Sequence, residues 1–299
     1  MADEEKTSST VDGPREASWK TYVEMANEAL RQGRRRSAEH LCRRALALAE
    51  STLGEDHPDV TVCLDLLSEL CRDKGRYAEA ETLLRRCVSI LQKSLGPSHR
   101  DTGAALNNLS VILHRQGKNA EAERMSRQAL AIAETASGPD SPDVAACLSN
   151  LTGLCGSEKR YDEAEQYCTR ALQIREKTRG PEHPDTASSL NCLAMLHHIQ
   201  NHYEEAEKLY RRLLLRRAGH SRVDAASTAN NLAELLHRQN RLAEAESLYV
   251  ESLNLLEQSV GLGHPKWLTT MQNLMMLYEE QGNYPKIQEL VRRLPERRT

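Results

Sequence analysis

The sequence predicts an all-α solenoid built from antiparallel helix pairs, and three observations predict it. A glycine recurs as Gly54, Gly96, Gly138 and Gly180 at intervals of 42 residues, then at Gly219 after 39 and at Gly261 after 42 again. An alanine keeps the same beat at Ala38, Ala80, Ala122, Ala164, Ala206 and Ala245, the last five inside an EAE triplet. Between these markers lie two runs with helical apolar spacing and a short polar break. A fixed period of this length, shared by two unrelated markers together with one deletion, marks a repeat array.

The copy at residues 105–138 shows what each repeat encodes. Leu106, Leu109, Ile112 and Leu113 fall on one helical face. The break Gln116-Gly117-Lys118 places glycine where a helix ends in a left-handed turn. A second helical pattern follows through Ala122, Met125, Ala129, Leu130 and Ile132. So short a turn makes the two helices antiparallel, and the small alanine lets their backbones approach at the crossing. One pair cannot bury its apolar face alone, so it stacks on the next.

Taken in order, residues 1–16 are polar and aperiodic and are expected to form a disordered tail. Seven pairs are expected at about 18–51, 57–95, 99–137, 141–179, 183–217, 221–259 and 264–294, with a basic C-terminal tail at 295–299. First helices open with HPDV at 57, SHRD at 98, SPDV at 141 and HPDT at 183. Proline in a first turn presets the helical angle, and the aspartate suits the positive end of the helix dipole. The recurrent His57, His99, His183 and His264 therefore belong to the loops between pairs, and their spacing does not converge on one metal ion. The fifth pair loses three residues in LLLRRAGHSRVD, which is expected to alter the local superhelical angle. In the seventh, Ile287 replaces the crossing alanine and Pro295 stops the helix, as in a terminal cap. Arg292, Arg293, Arg297 and Arg298 favour its negative end.

Composition narrows the function classes. A net charge of −3 argues against a general nucleic-acid binder. No apolar run resembles a signal peptide or spans a bilayer, so a cytoplasmic location is expected. Phenylalanine is absent, which leaves the interior to leucine, alanine, valine, isoleucine and cysteine. The eight cysteines follow the repeat register. Cys63 matches Cys147, Cys71 matches Cys155, Cys42 matches Cys168, and Cys87 takes the slot of Ala129 and Ala171. They read as reduced interior fillers, and neither metal nor disulfide is expected. No phosphate-loop or nucleophile motif occurs, and the EAE carboxylates recur with the repeat, so no catalysis and no cofactor are expected.

The pattern LNNL, QGKxxEAE, ALxI, GPxHPDV resembles the tetratricopeptide repeat in its 42-residue variety, and within it the repeat domain of kinesin light chains. Residues 105–133, 157–199 and 230–249 carry the resemblance best, and it extends over about 18–294. It implies a right-handed superhelix whose first helices line a concave peptide groove. It further implies a cargo or scaffold adaptor that binds proteins or extended peptide segments, acidic ones among them. Light chains join kinesin heavy chain through a heptad coiled coil ahead of their repeats, and the absence of such a segment here weighs against a heavy-chain partner.

By the resemblance, the position nine residues before the internal turn faces the groove. It holds Asn108, Asn150, Asn231 and Asn273, with Leu66 and Cys192 as exceptions, and its neighbour holds Asn107, Asn191 and Asn230, with Asp65, Ser149 and Gln272 in the other repeats. An amide both donates and accepts, so such a ladder can clamp a peptide backbone. The same asparagines can equally bond between neighbouring helices. One turn on, His114, Arg115, His198, His237 and Arg238 would meet acidic side chains, or form a solvated polar face. A clamp for a chaperone tail needs basic residues where Val62, Ala104, Ala146, Ser188, Ser227 and Thr269 stand, and is disfavoured. The alternative function is an assembly scaffold that uses its convex surface or ends.

Overall fold

The computed structural model describes residues 18–215 and 221–294. The expected tails at 1–16 and 295–299, Pro295, and the shortened loop around Gly219 lie outside the described residues. Those described are all-α, with fourteen helices among them and no strand. The chain divides into two compact units between Ile132 and Ala133.

The first unit holds α1 (Trp19–Arg31), α2 (Arg35–Leu53), α3 (Val60–Asp73), α4 (Tyr77–Ser94) and α5 (Arg100–Arg115), each packed on the next. Helix α6 (Asn119–Ser137) crosses the boundary. The second holds α7 (Pro142–Ser157), α8 (Tyr161–Arg179), α9 (Pro184–Ile199), α10 (Tyr203–Leu214), α11 (Arg222–Arg238), α12 (Leu242–Val260), α13 (Pro265–Glu280) and α14 (Tyr284–Arg292). Here too each helix packs on its successor, and α11 also meets α13.

One turn joins the two helices of every pair. A residue with positive φ follows the first helix, and the next backbone N–H returns to a carbonyl five residues back. Arg34 donates to Ala29, Arg76 to Cys71, Lys118 to Leu113, Arg160 to Cys155, His202 to His197, Arg241 to Leu236 and Asn283 to Tyr278, at 2.8–2.9 Å. This is the Schellman arrangement, which satisfies carbonyls that the helix end would otherwise orphan. Gly117 sits there at φ 77°, whereas Lys159, Asn201 and Asn240 adopt φ 60–62° without glycine's freedom.

The crossing alanines Ala38, Ala80, Ala122, Ala164, Ala206 and Ala245 are all fully buried. Seven of the cysteines are buried, Cys192 is half-buried, and all eight are free thiols. The recurrent histidines have a specific task. His99 Nδ1 accepts from the Asp101 N–H at 3.2 Å, His183 from Asp185 at 3.1 Å, and His264 from Lys266 at 3.3 Å, so each caps its helix. Ser141 and Ser221 fill the same place with a hydroxyl. At the second pair the helix starts only at Val60, so Pro58 and Asp59 precede it rather than forming its first turn. His57 Nδ1 there accepts from the Asp59 N–H at 3.1 Å.

Candidate functional site

The candidate residues sit on the first helices of the pairs, and each unit presents its own set. In the first unit Asn108 is exposed on α5 and its Nδ2 donates to Asp65 Oδ1 on α3 at 2.8 Å. Asn107 beside it is half-buried. A depression next to the Asp65–Asn108 bond is lined by Glu69, Arg72 and Val111. His114 does not stand free: its Nδ1 lies 3.0 Å from Asn119 Oδ1. Arg115 is exposed at the end of α5.

In the second unit Asn273 Nδ2 on α13 donates to Asn230 Oδ1 on α11 at 3.1 Å. Neighbouring first helices are thus stitched by side-chain amides, the bonding that the sequence left open beside groove contact. Asn150 is half-buried on α7. Asn191 lines a cleft with Ser188, Asp224, Ser227 and Lys266, and its Nδ2 lies 3.6 Å from Met195 Sδ. Asn231 lines a second cleft of about 350 Å³ with Met195, His198, Ile199, Glu234 and Arg238. Met195 and Ile199 are 45% and 51% exposed there, an apolar lip that the polar pattern of the sequence did not single out. Its signal was the pair of large apolar residues on a helix face otherwise filled by Asn191 and His198.

The residues of the expected cationic row differ in their surroundings. His198 is half-buried and its Nε2 has no hydrogen-bond partner; burial pushes its pKa down, so the ring is neutral near pH 7. His237 is 9% exposed, stacks edge-on against Tyr249, and places Nε2 2.8 Å from Glu280. Its charge, when present, is answered inside the protein. Arg238 is exposed but pairs with Glu234 at 3.0 Å. Desolvation of a ring against packed helices is what the sequence could not express.

A separate cluster lies on the same unit. Glu165 on α8, His197 near the end of α9 and His202 in the following turn each bring one ligand atom within 4.8 Å of the others. The loop histidines considered from the sequence are elsewhere.

Stacked antiparallel helix pairs of this kind are the fold of an adaptor or scaffold module for protein–protein interaction, a fold that is generally non-catalytic. The tetratricopeptide repeat model matches residues 20–93, 66–135, 101–157, 153–214 and 224–294, and the chain belongs to that family. A second model of the same repeat matches 193–253. No curated protein matches the sequence. Among solved structures, BtubC (BKLC) from P. vanneervenii is similar at TM-score 0.64 and 20% identity, covering 83% of this chain and 94% of that one. The nearly identical repeats of a putative kinesin light chain from Podosopora anserina reach 0.60 at 22% identity, covering 68% and 98%. A Rap protein complexed with Competence and Sporulation Factor reaches 0.59 at 15% identity, covering 88% and 76%. At these identities the likeness is one of fold. Among the described residues no helix is long and apolar enough to cross a membrane.

Proposed function

We propose that this chain is an adaptor that binds extended peptide segments against its first-helix faces, in a cargo or scaffold role like that of kinesin light chains. The observation that supports this reading most is the cleft at Asn231. Exposed Met195 and Ile199 offer apolar contact, the Asn231 amide offers a donor and an acceptor, and Arg238 offers a charge at the rim. A segment with one apolar anchor and an acidic neighbour matches that combination, because pockets of this kind are mostly apolar with few placed polar groups. The bond from Asn108 to Asp65 leaves Asn108 exposed, so a peptide can reach its amide in the first unit as well. The Rap structure complexed with Competence and Sporulation Factor lends the fold a precedent for holding a factor.

The test is a peptide array read against wild type and an Asn108→Ala, Asn231→Ala double variant of verified helicity. Acidic peptides with an apolar anchor are expected to bind wild type and to lose at least about tenfold in the variant, in line with the cost of leaving a polar partner unmatched. Equal binding by both proteins would retire the first-helix face and favour an assembly scaffold that works through its other surfaces. Recovery of kinesin heavy chain with the full chain would support the motor link; its absence at saturating protein would remove it.

A further inference from the structure

In the first six repeats a glutamate follows the crossing alanine, and several of these glutamates face the following pair. Four of these carboxylates meet a permanent cation there: Glu39 meets Arg76 at 2.5 Å, Glu81 meets Lys118 at 2.7 Å, Glu207 meets Arg241 at 2.7 Å, and Glu246 meets Lys286. In the first three the cation is the residue just after the positive-φ position of the turn. At Glu165 that residue is His202. Five residues earlier, where other repeats bury Cys71, Leu113, Cys155, Leu236 or Tyr278, stands His197. One repeat has therefore exchanged a guanidinium or ammonium for an imidazole and an apolar core residue for a second imidazole, around the same carboxylate.

The local geometry fixes the three groups together. The His202 N–H donates to the His197 carbonyl at 2.8 Å, and Asn201 at φ 62° sets the turn that brings the two rings to 5.8 Å. His197 is 13% exposed, and its buried Nδ1 has no hydrogen-bond partner. That nitrogen lies 3.8 Å from Glu165 Oε2, too far for a hydrogen bond. A buried ring nitrogen and a carboxylate oxygen thus face each other without a hydrogen bond between them, and an ion between the two would engage both.

We propose that Glu165, His197 and His202 form a binding site for a divalent transition-metal ion, Zn²⁺ being the reference ion. Two imidazoles and a carboxylate are a recognised ligand set for such ions and leave a fourth position to water. A tetrahedral ion with bonds of about 2.0–2.2 Å holds its ligands about 3.3–3.6 Å apart. The 3.8 Å between His197 and Glu165 is close to that spacing, and the exposed His202 ring closes the rest by rotation. The ion takes the place of the cation in the other repeats and ties α8 to the turn between α9 and α10. The site needs nothing from the peptide-binding reading.

The test uses the full chain, stripped with EDTA and then titrated with Zn²⁺, with Co²⁺ as a spectroscopic substitute. One equivalent is expected to bind, to raise Tm over the EDTA sample, and to give visible Co²⁺ bands of a low-coordinate nitrogen and oxygen site. His202→Arg restores the cation of the other repeats, so it is expected to fold and to lose both the bands and the Tm response. Glu165→Gln is a second variant with the same expectation. No Tm rise and no Co²⁺ bands in wild type would overturn the proposal, even if acid changed stability through a His202–Glu165 ion pair. Bands that persist in His202→Arg, or that show thiolate charge transfer, would assign the ion to other residues and overturn it as well.

Discussion

A cysteine inside this protein is in chemical terms a small apolar residue. Burial pushes the Cys42, Cys87 and Cys147 thiols up to about 12, and Cys63 and Cys71 to about 11, because a thiolate there would be stripped of water. The thiolate is the reactive species. Ellman's reagent at pH 8 is therefore expected to leave these five unlabelled in the native protein and to label them on unfolding in guanidinium, with intact mass counting the adducts. The register that paired Cys63 with Cys147 made this interior role legible. The caps were less so, because His99, His183 and His264 replace the usual serine, threonine or aspartate with an imidazole lone pair, which depends on a ring orientation. His198 and His237 fall beside polar residues in sequence, yet packing buries much of both rings.

At the scale of a helix, three substitutions separate propensity from packing. Gly153 on α7 has open space around the position of a Cβ, so Gly153→Ala is expected to stabilise by about 0.5–1 kcal/mol through helix propensity. Gly103 on α5 is the opposite case. A Cβ there would meet Ile132 Cγ2 at 2.9 Å and Cβ at 3.2 Å, and a β-branched side chain cannot swing its own Cβ aside. Gly103→Ala should thus destabilise, by about 1 kcal/mol, despite the better propensity. Ala164→Leu should overpack the crossing of its pair, where Ala164 is fully buried, at about 1–3 kcal/mol. Urea unfolding of each variant beside wild type measures all three. The helix pairs themselves were readable from the chain because glycine and alanine mark turn and crossing in one beat. The turns at Lys159, Asn201 and Asn240 lack the glycine and were located only by register.

For the whole molecule, the forward-facing glutamates set the response to acid. Burial alone raises Glu39, but Lys74, Arg76 and Arg43 outweigh it and hold the carboxyl at about 2. Lys118 leads the groups that hold Glu81 at about 2. Burial likewise raises Glu207, and Arg241 and Arg211 outweigh it to leave a net lowering. These values lie below the 4.5 of an unperturbed glutamate, so the unfolded chain takes up protons first as pH falls. The stabilisation is complete above about 4.5 and is lost as pH falls through about 2. Tm followed by circular dichroism should be flat on the neutral side of that window and fall within it. Glu81→Gln should lower Tm at neutral pH and flatten the acid limb. What the sequence could not supply at this scale was partnership: the repeated glutamates look alike, and only the structure shows that Glu39, Glu81, Glu207 and Glu246 are answered by a cation of the following pair.

In these four links the acid precedes its cation along the chain, whereas Arg43–Glu79, Arg85–Glu121 and Arg211–Glu244 run the other way. During synthesis the carboxylates of Glu39, Glu81, Glu207 and Glu246 leave the ribosome before the cations that will meet them. A newly emerged pair therefore has its acid in water until the next pair, about forty residues later, supplies the cation. The order of translation thus exposes these acids before their partners, and the cations of Arg43, Arg85 and Arg211 before theirs.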